Sequence, residues 1–449
     1  NVLHVIRTCL KQAVLPSERI RAVGVSGMVP ALILLDAAGQ VLRPAIQYND
    51  ARAVQEIQEY EQLIGEDRFF QITGASLSVQ SVGPKLAWIR KHEPAVWEKT
   101  VHILGSYDYI NHFLTGSLSV ERNWALESGL FNIKQNVWSD ELRESFDIPV
   151  GLLAPIHSSL EVIGHITEEI ALTSGLSAGT PVIAGSADHV AAAQAAGITQ
   201  PGDVLIKFGS SGDILYCADQ AVLDPHFYID FHCQPGKYLP NGCMATSGSL
   251  LKWFVNGFCQ QDKLDATAAK MDVYDYLDRK AEQIPPGSDG VIVLPYFLGA
   301  KTPLNNPDAR GVFYGMTLSH SRYHLYRAVM ESVIFGFRDH FEVLKDLNLP
   351  IRRVIASEGG ARSQLWRQMA ADILNYPVEF HQENPGSAFG VAVMAGMSRG
   401  WFTEAESSSG AESERTLPRL DTRLIYDETY QTYHTLYRQL LPVFRQNHS

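Results

Sequence analysis

Cysteine is scarce in this sequence: Cys9, Cys217, Cys233, Cys243 and Cys259 are the only five in 449 residues, and no two fall at CxxC spacing. An odd, dispersed set fits a reducing compartment, the cytoplasm, better than a disulfide framework. Long apolar runs are also missing. None approaches the roughly 18 residues that span a bilayer, so a membrane protein is not expected. The net charge of −12 comes without a long basic run, which argues against nucleic acid as a partner. Neither GxGxxG nor GxxxxGK[ST] occurs, so a Rossmann site and a Walker-type phosphate loop are both unsupported.

What remains is an ordinary globular composition, 45% hydrophobic and 19% charged. The length exceeds what one core usually serves, so two domains of about 200 residues with a ligand cleft between them are expected. IRAVGVSG, PALILLD, TPVIAGS, DVLIKFG, GVIVLPY and RRVIASEGG read as strands, whereas LYRAVMESVIFGFRDHFEVL repeats apolar residues at helical spacing. The class is α/β. A boundary near Gly197–Gly202, where an Ala-rich helix ends and a new strand begins, divides the chain into 1–198 and 199–449. EAESSSGAESE at 404–414 reads as a flexible surface loop. The chain opens on Asn1-Val2 inside an apparently amphipathic helix, VLHVIRTCLKQAV, so the natural start is expected upstream.

Two features between Val182 and Gly212 carry chemistry. AGSADHVAAAQAAG places the Asp188 carboxylate at a strand–helix junction, where it is either a general base or an N-cap for the helix. DVLIKFGSSGDILY follows, with Gly209 and Gly212 bracketing a two-residue tip, Ser210-Ser211. Glycine there permits backbone angles that turn N–H groups toward an anion, although a plain β-hairpin would look the same. A carboxylate and a phosphate cradle together suggest phosphoryl transfer. A second strand–turn–helix, VIASEGGARSQLWRQMAADIL, aims a helix N-terminus over Gly359-Gly360, or is a tight connection only.

The order of segments resembles the FGGY family of carbohydrate kinases, in the sugar kinase, actin and Hsp70 superfamily, and is most similar to its xylulokinase-like branch. The resemblance rests on GVSGMVPALILLDAAGQVLRPAIQYNDAR, on Lys85-x-x-Trp88 in GPKLAWI, and on YDYINHFLTG. It rests further on GTPVIAGSADHVAAAQAAG with GSSG, on the long signature from Gly311 through Glu331, and on EGGARSQLWRQMAADIL. It implies two actin-like (ribonuclease H-like) domains around an interdomain cleft, the first holding sugar and the second ATP. Asp188 falls on the family's catalytic base. Met28, Val29, Asn49, Asp50 and Arg52 fall on its sugar-binding positions, and His189, next to Asp188, is a candidate donor to a sugar hydroxyl. Read from the residues alone, Asp50 and Arg52 serve equally as a loop ion pair, and His189 as a solvent-facing helix residue. Gly209, Ser210, Ser211, Gly212, Gly248, Gly359, Gly360 and Gln364 fall on nucleotide-binding segments. Mg²⁺ is expected with ATP.

The departures matter as much. Met28-Val29-Pro30 stands where xylulokinases usually carry Gln-Met-His, Ala300 stands where Glu is common, and NWALESG at 123–129 lacks the common Asp-containing pattern. Another ketose or a polyol is therefore an alternative to xylulose. The family opens with an Asp-x-Gly-Thr strand pair that holds phosphate and helps position Mg²⁺; those residues, one metal ligand included, are expected before Asn1. The leading expectation is an ATP-dependent ketose kinase. A non-catalytic sugar-binding or regulatory protein and an actin-like assembly protein are its rivals, and a homodimer is left open.

Overall fold

The computed structural model describes residues 1–382, 386–403 and 413–446. Most of the serine-rich stretch, 404–412, lies outside the described residues, and its last two residues open a strand, Ser413–Thr416, rather than ending a loop. The chain forms two compact units. The first comprises residues 1–199, 219–239 and 385–409, the second 200–218, 240–384 and 410–449.

The strands of the first unit are short. β1 (Ser26–Gly27) runs parallel to β2 (Ser186–Ala187), with Gly27 opposite Ala187. Of the strand expected over IRAVGVSG, only these two residues and a bridge from Val23 to Val182 are formed. The approach depends on Gly185, which has φ +80 and whose Cβ would overlap the Val25 carbonyl. The amphipathic pattern at the start of the chain forms α1 (Val2–Ala13), whose Leu3, Ile6 and Leu10 pack on Leu114, Ile166, Ile170 and Val182. α2 (Val82–His92) and α3 (Arg122–Glu127) follow, and then α4 (Asp188–Ala195). α4 is Ala-rich for a reason of space: it packs on the Ser387–Ser398 helix so closely that a Cβ on Gly390 would overlap the Ala191 carbonyl.

The second unit is built on a mixed sheet. Its strands are β3 (Asp203–Phe208), β4 (Gly212–Tyr216), β5 (Tyr238–Met244), β6 (Arg353–Ser357), β7 (Val378–His381) and β8 (Ser413–Thr416), side by side in the order β5-β4-β3-β6-β7-β8. β3 is antiparallel to β4 and parallel to β6, so the β3–β4 turn and the turn that follows β6 leave the same end of the sheet. Phe208 packs its ring against Phe337 of α6 (Arg322–Asp346) at 5.4 Å and against Trp366 of α7 (Gln364–Leu374) at 4.9 Å. Such edge-on aromatic pairs add about 1 kcal/mol each to the burial they bring.

All five cysteines are free thiols. Cys217, Cys233 and Cys259 are buried, Cys243 is half-buried and Cys9 is exposed. Burial pushes the Cys243 thiol up to about 12 and the Cys259 thiol to about 11, with Asp213 and Asp262 adding to it. Among the described residues no helix is long and apolar enough to cross a membrane.

Candidate active site

The β1–β2 register delivers Met28 and Asp188 side by side, each one residue past its strand. Asp188 is the first residue of α4 and Ala187 is its N-cap, so the N-cap alternative does not hold. The Asp188 side chain is 54% exposed, as a proton acceptor for a bound ligand should be. Met28 is exposed and its carbonyl accepts a 2.8 Å bond from Ser106 Oγ, whereas the Val29 side chain is buried.

His189 does not face solvent freely. Its Nε2 lies 2.8 Å from Asp230 Oδ2 and 3.9 Å from Glu127 Oε1, and its Nδ1 lies 3.5 Å from Asp188 Oδ1. Burial alone would lower the His189 pKa. The Asp230 charge, the hydrogen bonds to Asp188 and Asp230, and the Glu127 charge outweigh it and hold the ring well above its ordinary value. Burial, and then the Asp230 charge, push Glu127 well above the carboxylate range. The cluster is thus an imidazolium braced by Asp230. The ligand atoms of Glu127, His189 and Asp230 lie within 4.8 Å of one another, a spacing that a metal would also accept in exchange for the ring proton.

α3 assembles this cluster. Asn123 Nδ2 donates to the Phe231 carbonyl at 3.0 Å and its Oδ1 accepts from the Phe231 amide at 2.7 Å, clasping the Tyr228–Phe231 strand. Asn123 is itself fixed by buried Glu121, which also accepts from Tyr107 and Ser159. One turn further along α3 is Glu127, and one residue before Phe231 is Asp230, so the clasp brings both carboxylates to His189. Neither was a predicted site residue. The available signals were a charge inside the apolar YIDF run and the departure already noted at NWALESG.

The loop before Arg52 is closed by its own contacts. Arg52 Nε and Nη2 donate to the two Asp50 oxygens at 2.9 and 2.7 Å, and its guanidinium lies 4.9 Å from the Trp88 ring centroid. The Arg52 hydrogen bonds hold Asp50 down to about 2. Buried Lys85 Nζ donates to the carbonyls of Gln47 and Tyr48, and burial lowers it to about 8. The Lys85-x-x-Trp88 pattern therefore reads as a brace for this loop, and Asn49 is left exposed at its tip.

In the second unit the predicted nucleotide segments do meet. Phe208 pairs with Gly212, so the tip is three residues, Gly209 to Ser211, rather than two. Neither glycine has a positive φ; a Cβ on Gly212 would displace the end of the Met244 side chain and press on Phe337 and Ser247 at 3.3 Å. The Gly209 and Ser210 carbonyls accept from the amides of Gly248 at 2.8 Å and Ser249 at 3.1 Å, at the start of α5 (Gly248–Phe258), and a Cβ on Gly248 would sit 2.7 Å from the Gly209 oxygen. The Gly209, Ser210 and Ser211 amides take no backbone acceptor among the described residues, which leaves three donors at one tip. Beside it, Gly360 fits under Trp366 and against Phe208, and Gly359 has open space around it. Gln364 is exposed as the first residue of α7, whose N-cap is Ser363, its Oγ accepting from the Trp366 amide.

The family profile described as "FGGY family of carbohydrate kinases, N-terminal domain" matches residues 1–195, and the corresponding C-terminal profile matches residues 204–399. The chain belongs to the FGGY family. Its fold is the two-domain, actin-like α/β architecture of these kinases, and it is a carbohydrate kinase. It is similar to a solved structure of xylulose kinase from Rhodospirillum rubrum, with 40% identity and a TM-score of 0.91 over 98% of this chain and 88% of that one. Xylulose kinase from Bacillus subtilis is 29% identical over 94% of this chain and 83% of that protein, and gluconokinase from the same organism is 28% identical over 88% and 77%. Within the FGGY signature that ends at Glu331, that glutamate is structural. It is buried and accepts from Arg327 Nε and Ser288 Oγ at 2.8 Å and from Tyr426 at 3.0 Å.

Proposed function

We propose that this FGGY kinase transfers the γ-phosphoryl group of ATP to a hydroxyl of a ketopentose such as xylulose, with Asp188 as the base. The observation that carries this reading is the exposed Asp188 carboxylate at the head of α4, beside a His189 ring that Asp230 holds at 2.8 Å. A hydroxyl is far less acidic than a carboxylic acid, so Asp188 takes the proton late, as the oxygen bonds to phosphorus. His189, whose two ring nitrogens are engaged by Asp230 and Asp188, adjoins the sugar-facing set of Met28, Asn49 and the Asp50–Arg52 pair. Amides at Gly209 to Ser211 stabilise charge on the transferred group, with Gly248, Gly359, Gly360 and Gln364 around the nucleoside. Mg²⁺ enters with ATP as part of the substrate. The names of the relatives favour xylulose, while Met28-Val29-Pro30 leaves room for another ketose or a polyol.

The test is ADP release by the full-length protein with a panel of pentuloses, hexuloses, tetritols and gluconate. D-xylulose should give the largest kcat/KM, and Asp188→Ala should lower kcat by about 10²–10⁴ without loss of fold. No sugar-dependent ADP release at all would leave a binding protein in place of the enzyme, and an Asp188→Ala rate within about tenfold of wild type would remove Asp188 as the base.

A further inference from the structure

Between Val204 and Phe208 the β3 strand contains one charged residue, Lys207, and its side chain is only 15% exposed. The register sets Lys207 opposite Asp213 on β4 and opposite Ser357 on β6. Its Nζ is 3.3 Å from Asp213 Oδ2 and 3.8 Å from Glu358 Oε1. One ammonium therefore joins the roots of both glycine turns, the β3–β4 tip and the Glu358-Gly359-Gly360 turn.

Glu358 is the unusual member. Its φ of +72 lies in the left-handed region, where a side chain is strained and glycine is not. A Cβ built on Gly209 would lie 3.9 Å from Glu358 Cγ, so the Glu358 side chain leans over the very tip whose amides are available to an anion. It is also the looser of the two partners of Lys207, 47% exposed against 25% for Asp213. The nearby Lys301 sits 3.9 Å from Cys243 Sγ, on the far side of Asp213 in the next strand.

We infer that Lys207, shared between Asp213 and Glu358, is a phosphate ligand of the nucleotide site, and that Glu358 yields it to the polyphosphate of a bound nucleoside di- or triphosphate. The inference rests on the nucleotide reading of these two turns. Asp213 keeps the lysine in place, while Glu358, strained and half exposed, is the partner that a more highly charged phosphate displaces. Until it is displaced, its carboxylate opposes an incoming anion, so Glu358 holds nucleotide affinity down.

Calorimetric titration of the full-length protein with ADP and, separately, with adenosine tests this. Lys207→Met should weaken ADP by about tenfold or more and leave adenosine unchanged, and Lys207→Arg should restore part of the loss. Glu358→Gly should tighten ADP several-fold and raise Tm. Equal loss of ADP and adenosine in Lys207→Met would show a structural lysine and overturn the inference, as would unchanged ADP affinity. Should Lys207→Met not fold, Glu358→Gly decides: weaker ADP binding there overturns the inference. A wild-type protein that binds neither ADP nor adenosine would overturn the nucleotide reading itself.

Discussion

At the scale of single residues, Asp230 sets the charge of His189. The folded-state pKa of His189 is raised above its ordinary value of 6.5, so its ion pair contributes stability in full below about pH 6.5 and loses it as pH rises through the raised value. Asp230→Asn should therefore cost about 2 kcal/mol near pH 6 and less near pH 9, read by urea unfolding at the two values; a cost independent of pH would mean that His189 is neutral throughout. The Asp188–His189 adjacency was legible because both residues are consecutive in the GSADH segment. Asp230 was not, because it lies 41 residues away and only the clasp at Asn123 returns it. The glycines show a similar limit. Their presence at 209 and 212 was plain, but whether each supplies an unusual backbone angle or merely room depends on Met244 and on the pairing of Phe208, which local sequence does not encode.

Among the elements, the most legible was α6, where apolar residues repeat at helical spacing over some six turns, so that the period overrides any one residue. The short strands of the first unit were the least legible. IRAVGVSG is rich in β-branched residues, yet its ladder extends only as far as a partner exists, and that partner is β2. α3 is too short to announce itself by period, and its importance lies in what it holds. Asn123→Ala removes two hydrogen bonds to the Phe231 backbone and leaves buried polar groups behind, at a cost of about 2–3 kcal/mol. Hydrogen exchange should show the Phe231 amide opening sooner than the other amides of the Tyr228–Phe231 strand, and unchanged protection there would mean that the strand is held by other contacts.

For the molecule as a whole, the chain's linear halves and its compact units are different things. Residues 219–239 and 385–409 belong with the first unit, contributing the strand that carries Asp230 and the Ser387–Ser398 helix that covers α4. A fragment of residues 1–198 would bare Val190 and Ala191 of α4 and leave His189 without its closest partner. Calorimetry should show no cooperative unfolding transition for that fragment, whereas a sharp melt close to that of the full chain would mean that the first unit folds without the returning segments. The thiols distributed through both units carry a practical consequence. Three are buried, and Cys243 is held protonated far above neutral pH, so a thiolate-seeking reagent finds its target at Cys9 on α1. Residues 1–449 thus carry an attachment point for a fluorophore or a surface tether at Cys9, in an element separate in sequence from both Asp188 and the glycine turns.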